Sequence, residues 1–269
     1  MQKILKAFQN KKLSHKHTII SMDKKIVIIP TYNEKENIEK IIRYVFNLHQ
    51  DFDILVIDDG SPDGTAQIVK NMIPEYEGHL FIKERSGKLG LGTAYILGFN
   101  WCIENQYDYI FEMDADFSHN PNDLIRLYEC ASQENKDLVI GSRYCNGVNV
   151  VNWPMSRVLM SYYGSAYVRT ILRIPIHDTT AGFVCYKRKV LESINFDNIK
   201  HIGYGFQIEM KYITWKLGFR LAEVPIIFTD RTEGTSKMSK GIFKEAIFGV
   251  IKLRWTMLFH GIEKYRKKD

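Results

Sequence analysis

The chain has 269 residues, of which 45% are apolar and 25% are charged, so it is long enough to bury the core of one large α/β domain. Its formal net charge of +6 is concentrated at the ends: residues 1–20 hold five lysines and no acid, and residues 231–269 hold ten Lys or Arg against four acids, which leaves −5 for the residues between them. An acidic body with two basic ends argues against a nucleic-acid-binding protein and favours contact with an anionic membrane surface.

The N-terminal segment, residues 1–22, is predicted to be a basic extension, because it lacks an apolar stretch long enough for a signal peptide. The four cysteines lie far apart and form no C-x-x-C pair, which argues against a disulfide framework or a zinc site. We therefore expect a cytoplasmic protein with reduced cysteines in its core.

Strands and helices alternate through the first half of the chain. Lys25–Pro30 and Asp53–Asp58 are short apolar runs typical of buried parallel strands, and Glu34–His49 between them has apolar residues at helical spacing. This alternation predicts an α/β fold with helices on both faces of a sheet. Further helices are predicted near Thr65–Met72 and Gly92–Asn105, and further strands near Leu80–Lys83 and Tyr109–Met113.

Polar motifs follow three of these strands. Pro30–Glu34 follows the first, Asp58–Gly64 the second, and Asp114-Ala-Asp116 the strand near Tyr109–Met113. The carboxyl ends of parallel strands meet at one edge of a sheet, so we expect one ligand-binding crevice there. Two carboxylates one residue apart suit Mg²⁺ or Mn²⁺, which would bridge them to phosphate oxygens, although paired acids also occur in solvated turns.

A glycine-rich segment, Arg85–Gly92, leads into the next predicted helix. Its backbone amides could face a diphosphate, or the segment could be an ordinary tight turn. It is not a P-loop, since Ile82 and Leu89 occupy the Gly and Ser/Thr positions of that motif. It is not a dinucleotide fingerprint either, since Tyr95 stands at the third glycine.

The second half of the chain is less regular and is expected to supply the acceptor side of the site. Strands are predicted at Asp137–Ile140, Gly182–Tyr186 and Leu221–Phe228, and a helix is predicted at Met155–Leu172.

Residues 239–269 are predicted to form an amphipathic, basic C-terminal helix and tail, with the helix over Gly241–His260. Lys244, Lys252 and Arg254 interrupt its apolar sequence, so a membrane-spanning helix is not expected. Lysines mixed with aromatic residues suit a helix that lies in the headgroup layer of a membrane. Alternatively, the apolar arc of this helix packs on the catalytic domain.

Seven motifs in fixed order resemble those of the dolichol-phosphate (polyprenol-phosphate) mannosyltransferases, which are inverting glycosyltransferases of the GT-A fold. The match runs from about Lys25 to Lys237, and the ordered set is far more specific than any one motif. The resemblance implies a GT-A (nucleotide-diphospho-sugar transferase, Rossmann-like) mixed sheet in a catalytic domain over residues 23–238. The motifs are Pro30-Thr-Tyr-Asn-Glu34, Asp58-Asp-Gly-Ser-Pro-Asp-Gly-Thr65, Gly87-Lys-Leu-Gly-Leu-Gly92, Met113-Asp-Ala-Asp-Phe-Ser-His119, Gly141-Ser-Arg-Tyr144, Asp178-x-Thr-Ala-Gly-Phe183 and Arg231-x-x-Gly-x-Ser-Lys237.

The same resemblance implies roles for individual residues. The implied nucleotide-sugar contacts are Pro30, Tyr32, Glu34, Asp59, Lys88, Asp114, Ala115, Arg231 and Lys237. The implied metal site consists of Asp114 and Asp116 together with Ser118, which stands where some relatives carry a metal-contacting Gln. The implied catalytic residues are Asp116 and the three that would grip the acceptor phosphate, Arg143, Arg157 and Ser161.

The implied reaction is the transfer of a hexose, mannose from GDP-mannose, to a polyprenyl or dolichyl phosphate, with inversion and with Mg²⁺ or Mn²⁺, at the inner face of a membrane. The chemistry is consistent, because a phosphate monoester is largely ionised at neutral pH and needs no strong base, whereas the leaving nucleoside diphosphate needs its charge neutralised. Two alternatives remain: transfer of glucose or an aminosugar from a UDP-sugar, and a non-catalytic nucleotide-sugar-binding protein. A nucleotidyltransferase is disfavoured, because Pro30–Glu34 stands where that class would carry a glycine-rich loop.

Overall fold

The structure is a computed structural model that describes part of the chain. The described residues are 23–48, 50–201, 203–230 and 241–267, and for Tyr204 and residues 241–247 only the backbone is described. The basic extension predicted for residues 1–22 and the predicted donor contacts Arg231 and Lys237 lie outside the described residues.

Strands and helices alternate along the described chain as the apolar pattern predicts. The strands are β1 (Lys25–Thr31), β2 (Phe52–Asp58), β3 (Leu80–Glu84), β4 (Tyr109–Glu112), β5 (Leu138–Ser142), β6 (Val150–Val151), β7 (Val184–Lys187), β8 (Leu221–Pro225) and β9 (Phe228–Thr229). The helices are α1 (Ile38–Phe46), α2 (Thr65–Met72), α3 (Leu91–Glu104), α4 (Asp123–Gln133), α5 (Met155–Leu172), α6 (Arg188–Glu192), α7 (Tyr204–Lys216) and α8 (Gly241–His260).

Seven strands form one mixed sheet in the order β3-β2-β1-β4-β7-β5-β8. β7 is antiparallel to both of its neighbours, β4 and β5, and the other pairs are parallel. β2, β1 and β4 therefore lie side by side with their carboxyl ends at one edge, as predicted from the polar motifs that follow them.

Apolar residues on alternate positions of the central strands face two separate cores. Ile26 and Ile28 of β1 belong to the core that packs against α3, α7 and α8. Val27 and Ile29 belong to the core that packs against α1 and α4. Both faces of the sheet are covered by helices, which explains the nearly continuous apolar runs and confirms the predicted fold class.

The strand predicted over Leu221–Phe228 is wrong in one respect, because it is divided into β8 and β9. β8 ends at Pro225, which pairs with Ser142, the last residue of the neighbouring strand β5. The chain then leaves the main sheet, and β9 pairs with β6 in a second, two-stranded sheet.

The C-terminal helix α8 has the predicted bounds and packs against α5 and α7. Val250, Leu253 and Met257 are buried in this contact. A Cβ atom at Gly249 would lie 2.6 Å from Nε2 of His201, so the absence of a side chain there lets α8 approach the start of α7 closely.

A second surface of α8 is exposed and also apolar. Phe248 and Phe259 are each 72% exposed, and Trp255 and Leu258 are more than half exposed. The helix therefore packs part of its apolar surface on the sheet-and-helix body and presents the rest to solvent. No helix in the described part of the chain is long and apolar enough to cross a membrane.

Candidate functional site

The first part of the site is the turn that follows β2, and Asp58 holds it in place. The Asp58 carboxylate accepts hydrogen bonds from Thr31 Oγ1 at 2.8 Å, from Ser61 Oγ at 2.6 Å and from Ser61 N at 2.8 Å. These bonds fix the end of β1 to the turn after β2. Both Asp58 oxygens are thus engaged within the protein, and the turn presents the next residue, Asp59, at the sheet edge.

Asp59 is paired with Arg85, which follows β3. Arg85 Nε donates to Asp59 Oδ1 at 2.6 Å, and both side chains are more than nine-tenths buried. The same guanidinium donates to Thr93 Oγ1 at 2.6 Å and to the carbonyl oxygen of Gly90. Arg85 therefore ties the predicted nucleotide contact Asp59 to the glycine-rich segment and to the first turn of α3.

Other residues predicted to contact the nucleotide sugar lie at the same edge of the sheet. Pro30 is the sixth residue of β1, and Tyr32 and Glu34 follow that strand. The ammonium group of Lys88, from the glycine-rich segment, lies 5.5 Å from the centre of the Tyr32 ring. The Glu34 backbone N–H donates to Thr65 Oγ1 at 3.0 Å, which fixes the loop after β1 to the start of α2. The loops after β1, β2 and β3 thus meet at one end of the sheet.

The acidic triplet Asp114-Ala115-Asp116 forms a tight turn directly after β4. Ser118 N donates to Asp116 Oδ1 at 3.1 Å, and Phe117 has a positive φ of 59°, which is unusual for a side chain of that size. Ala115 and Asp116 are buried, and Asp114 is half-buried. Backbone strain of this kind collects at binding sites, where the surrounding structure holds it.

His119 packs against the same turn and hydrogen-bonds to its backbone. Its Nδ1 accepts a hydrogen bond from the backbone N–H of Asp114 at 3.3 Å, and its ring stacks on Phe183 at 4.9 Å between centroids. Burial lowers the pKa of His119 to about 4, so the ring is neutral at physiological pH. We conclude that His119 shapes the turn.

The chemistry of the turn fits a divalent cation that substrate phosphates help to hold. Ser118 Oγ is buried and has no hydrogen-bond partner among the described residues. No group of three or more His, Cys, Asp or Glu residues suited to a metal occurs in the described ranges, and the predicted metal site contains two acids, Asp114 and Asp116. Mg²⁺ commonly binds through one or two carboxylates and completes its shell with substrate phosphates.

A buried polar network lies behind the turn, and sequence reasoning missed it. Gln207 Nε2 donates to Glu112 Oε2 at 2.7 Å, and Lys211 Nζ donates to Gln207 Oε1 at 3.0 Å and to the Ala181 carbonyl oxygen at 2.6 Å. Burial raises the pKa of Glu112 to about 8 and lowers that of Lys211 to about 8. The network joins the end of β4 to the segment before β7.

The first residue predicted to bind the acceptor phosphate is Arg143, which follows β5. Its Nε and Nη2 donate to the two oxygens of Asp178 at 2.7 and 2.6 Å, its backbone N–H donates to the same carboxylate at 2.9 Å, and Nη2 also donates to Thr180 Oγ1 at 2.9 Å. Burial alone would raise the pKa of Asp178, but the charge and hydrogen bonds of Arg143 lower it below its ordinary value. The buried Arg143 is thus held rigidly by a charged partner.

Arg157 and Ser161, both on α5, lie beside Arg143. Arg157 Nη1 donates to Asp230 Oδ1 at 2.8 Å. The Tyr144 hydroxyl donates to Ser161 Oγ at 2.7 Å, and the Arg143 guanidinium lies 5.2 Å from the centre of the Tyr144 ring. The structure therefore brings together all three residues predicted to grip the acceptor phosphate.

One aromatic residue, Phe228, connects the acidic turn to the arginines. The centre of its ring lies 5.3 Å from that of His119 and 5.6 Å from the guanidinium carbon of Arg143. The next residue, Thr229, donates its backbone N–H to the Ser118 carbonyl oxygen at 3.3 Å. Arg143 and His119, which holds the acidic turn, therefore share Phe228 as a neighbour.

Several residues of this site had a sequence signal that we did not use. Arg85 heads the glycine-rich segment and Asp178 begins one of the quoted motifs, so a search for acids and bases within the motifs would have found both. Trp153, which contacts Arg143 and Arg157, immediately precedes the Pro154 that begins the helical segment. Lys211 gave no signal, because a lysine on a helix is ordinarily exposed.

Comparison with known proteins gives related sequences over most of the chain. Residues 26–194 match the sequence model of glycosyl transferase family 2. Polyprenol monophosphomannose synthase from Mycolicibacterium smegmatis is 42% identical over 233 residues, which cover 87% of this chain and 88% of that protein. Undecaprenyl-phosphate mannosyltransferase from Micrococcus luteus is 44% identical over 232 residues, which cover 86% of this chain and 93% of that protein.

Among solved structures, the fold is similar to that of glucosyl-3-phosphoglycerate synthase from Mycobacterium tuberculosis in complex with Mn²⁺, UDP and glucosyl-3-phosphoglycerate. The TM-score is 0.63 at 18% identity, over 87% of this chain and 81% of that one. At this identity the likeness establishes the fold alone, which is a GT-A-like mixed sheet covered by helices.

Proposed function

Because this chain belongs to glycosyl transferase family 2, it is a glycosyltransferase, and we propose that it transfers mannose from GDP-mannose to a polyprenyl phosphate with inversion. The observation that carries this proposal is the identity of 42–44%, across most of both chains, to two proteins named for mannose transfer to polyprenyl phosphates. The arrangement of the site supports it, because Phe228 contacts both His119, which holds the acidic turn, and Arg143.

For the nucleotide sugar, Pro30, Tyr32, Glu34 and Asp59 would hold the base and ribose, and Lys88 would be a further contact. The pairing of Asp59 with Arg85 supports this role, because it fixes the carboxylate in one orientation before the nucleotide arrives. A group that is held in place before binding loses little conformational entropy when the ligand binds.

Asp114 and Asp116 would hold a Mg²⁺ or Mn²⁺ ion, together with the Ser118 hydroxyl, for which the described part of the chain provides no hydrogen-bond partner. A bound divalent cation neutralises the charge that builds up on a departing nucleoside diphosphate. Asp116 is held by the Ser118 backbone N–H, so its carboxylate is oriented by the turn. The backbone N–H of Asp114 donates to Nδ1 of His119, which holds the backbone of this second acid in place.

On the acceptor side, Arg143 and Arg157 would bind the phosphate of the lipid, and Ser161 would lie beside them. The phosphate is already largely ionised at neutral pH, so these residues need only to orient it and to remove water. The Arg157 side chain donates through Nη1 to Asp230 Oδ1 at 2.8 Å, and the planar fork of a guanidinium group suits a phosphate.

The proposed reaction is tested by supplying radiolabelled GDP-mannose or UDP-glucose together with a polyprenyl phosphate and a divalent cation. We expect label from GDP-mannose to enter the organic phase. Asp116→Asn should reduce this transfer by about 100-fold or more, because it removes a charge from the cation site. Asp197→Asn, at an exposed acid far along the chain, is the matched control and should transfer normally.

Three results of this assay would contradict the proposal. Label from UDP-glucose alone would replace mannose with another hexose, and label released as free sugar would indicate hydrolysis. Full transfer by Asp116→Asn in the presence of EDTA would remove the metal role. Restoration of wild-type activity by Mn²⁺ or Mg²⁺ after EDTA treatment is the expected result.

We further propose that the protein docks peripherally on a membrane surface through α5 and α8. Support comes from the apolar side chains that both helices expose although they pack against each other. These residues are Met155, Leu159, Met160, Tyr162 and Tyr163 on α5, and Phe248, Ile251, Trp255, Leu258 and Phe259 on α8. A lipid acceptor presents its phosphate at the membrane surface, which explains why the acceptor-side helix α5 would lie there.

Flotation with liposomes tests the docking. Wild-type protein should float with vesicles that contain anionic lipid, and the triple variant Phe248→Ser, Trp255→Ser, Phe259→Ser should remain at the bottom of the gradient with an unchanged melting temperature, because these side chains are exposed. Wild-type protein that does not float, or a triple variant that floats equally well, would show that α8 serves only to pack on the body.

A further inference from the structure

Trp153 lies in the short segment between β6 and α5, and two guanidinium groups face its ring. The Arg157 guanidinium carbon is 4.0 Å from the ring centre, and that of Arg143 is 5.6 Å away. Phe228 meets the same indole edge-on at 5.2 Å. One aromatic side chain thus contacts both arginines that we assign to the acceptor phosphate.

We propose that Trp153 is a positioning residue for the acceptor, which sets the spacing of Arg143 and Arg157 so that both can bind one phosphate. The proposal rests on the proposed function, since it concerns the acceptor phosphate of that reaction. Trp153 acts through the two arginines and need not touch the substrate itself.

The physical need for such a residue follows from the charges. Two guanidinium groups that converge on one phosphate repel each other until the phosphate arrives. Asp178 holds Arg143 and Asp230 holds Arg157, but these acids come from different segments and do not fix the distance between the two cations. An indole ring attracts both cations through its negative face, and among aromatic side chains tryptophan does so most strongly.

The contacts of the indole nitrogen favour this role over hydrogen bonding. Trp153 Nε1 is buried and has no hydrogen-bond partner among the described residues. An unpaired buried donor is destabilising, so the N–H is not the reason for a tryptophan at this position. The ring, and not the N–H, is what the two arginines contact.

Packing in the apolar core explains a tryptophan at position 153 less well than positioning of the arginines does. Trp153 is only half-buried, and within the described chain it belongs to neither of the two apolar cores that flank the sheet. Its aromatic neighbour Phe228 is also half-buried and lies at the site. The ring is therefore a local part of the acceptor site.

The test compares Trp153→Phe with Trp153→Leu. Trp153→Leu removes the aromatic face, so its KM for polyprenyl phosphate should rise about tenfold while its KM for the nucleotide sugar stays within about twofold of wild type. Trp153→Phe keeps an aromatic face, although the ring is smaller and lacks the indole N–H, so it should stay within about threefold of wild type for both substrates. A merely structural role would instead lower the melting temperature and impair both substrates together.

The same substitution in a protein that lacks Arg157 shows whether Trp153 acts through that arginine. In an Arg157→Met protein, Trp153→Leu should raise the acceptor KM by less than about a further threefold, because one of the two cations whose spacing it sets has gone. A full tenfold increase in that background would overturn the positioning role, as would an unchanged acceptor KM in the single variant.

Binding of a short-chain prenyl phosphate, measured by calorimetry without any sugar donor, separates this inference from the proposed function. Wild-type protein should bind it and Trp153→Leu should bind it about tenfold more weakly. Equal binding by both proteins overturns the role of Trp153 and leaves the proposed function intact. A wild-type protein that fails to bind the prenyl phosphate overturns both.

Discussion

The replacement Asp178→Asn should lower the free energy of unfolding, although it hardly changes the volume of the side chain. Asp178 is completely buried and accepts hydrogen bonds from Arg143 Nε, Nη2 and backbone N at 2.6–2.9 Å. Removing one member of a buried ion pair typically costs about 3–5 kcal/mol, because the other charge remains buried without compensation. Asparagine keeps one acceptor oxygen, which recovers about 1 kcal/mol. We therefore expect a loss of about 3 kcal/mol in the free energy of unfolding.

The assay is urea unfolding followed by circular dichroism at pH 7, in four proteins that form a double-mutant cycle. They are wild type, Asp178→Asn, Arg143→Met and the double variant. The double variant should be more stable than Asp178→Asn alone, because it leaves no uncompensated buried charge. The exposed control Asp197→Asn should change stability by less than about 0.5 kcal/mol.

Two results would refute this reasoning. One is an Asp178→Asn protein within about 1 kcal/mol of wild type, and the other is a double variant whose loss equals the sum of the single losses. Either would mean that Arg143 and Asp178 are not coupled in the folded protein. The proposed rigidity of the acceptor site would then lack its main support.

The pH dependence of the free energy of unfolding independently tests the direction of the Asp178 pKa shift. The folded-state pKa of Asp178 lies below its ordinary value of 3.8, so its charged form is favoured by folding. The stabilisation from the charge is therefore fully present above pH 3.8 and is lost as the pH falls through the folded-state pKa. The difference in stability between wild type and Asp178→Asn should shrink in that acid range.

Three further predictions concern other parts of the site. Arg85→Gln should raise the KM for the nucleotide sugar about tenfold and leave the acceptor KM unchanged in initial-rate assays, because the glycine-rich segment loses its tie. Lys211 has a folded-state pKa of about 8 against an ordinary 10.5, so wild-type stability in urea should rise between these pH values, and Lys211→Met should lack that rise. Gly92→Ala would place a Cβ atom 2.7 Å from Phe206, and thermal unfolding should show a loss of about 1–3 kcal/mol.

The sheet and its acidic edge could be predicted because their signals are local. β1, β2 and β4 are apolar runs that need no distant partner to be recognised, and the acids follow them directly in the sequence. The sheet rule for parallel strands then places those acids together without any knowledge of side-chain contacts. The structure confirms that convergence.

The partners of the charged residues could not be predicted in the same way. Arg143 and Asp178 are 35 residues apart, and nothing in either local pattern indicates that they form a pair. The burial of Lys211 depends on how α7 packs over the end of β4, which the sequence of α7 alone does not reveal. Periodicity predicts elements well, whereas these contacts arise only when the elements pack together.

The C-terminal helix illustrates why two sequence-based alternatives can both hold. We expected α8 either to lie in a headgroup layer or to pack on the body, and the structure shows the packing directly through Val250, Leu253 and Met257. The exposed Phe248, Trp255 and Phe259 leave the first alternative available on another surface of the same helix. An apolar pattern that covers most of a helix does not specify one neighbour.

Three arginines of the described site are each matched by an acid: Arg85 by Asp59, Arg143 by Asp178 and Arg157 by Asp230. The proposed phosphate site is therefore built from arginines that are each paired with an acid, which agrees with the net charge of −5 between the two basic ends. Such a site selects its substrates through the fixed directions of its N–H groups more than through a long-range field. Groups that are already oriented need not reorganise as charge moves from the sugar to the leaving diphosphate, and this is the form of electrostatic stabilisation that proteins supply most effectively.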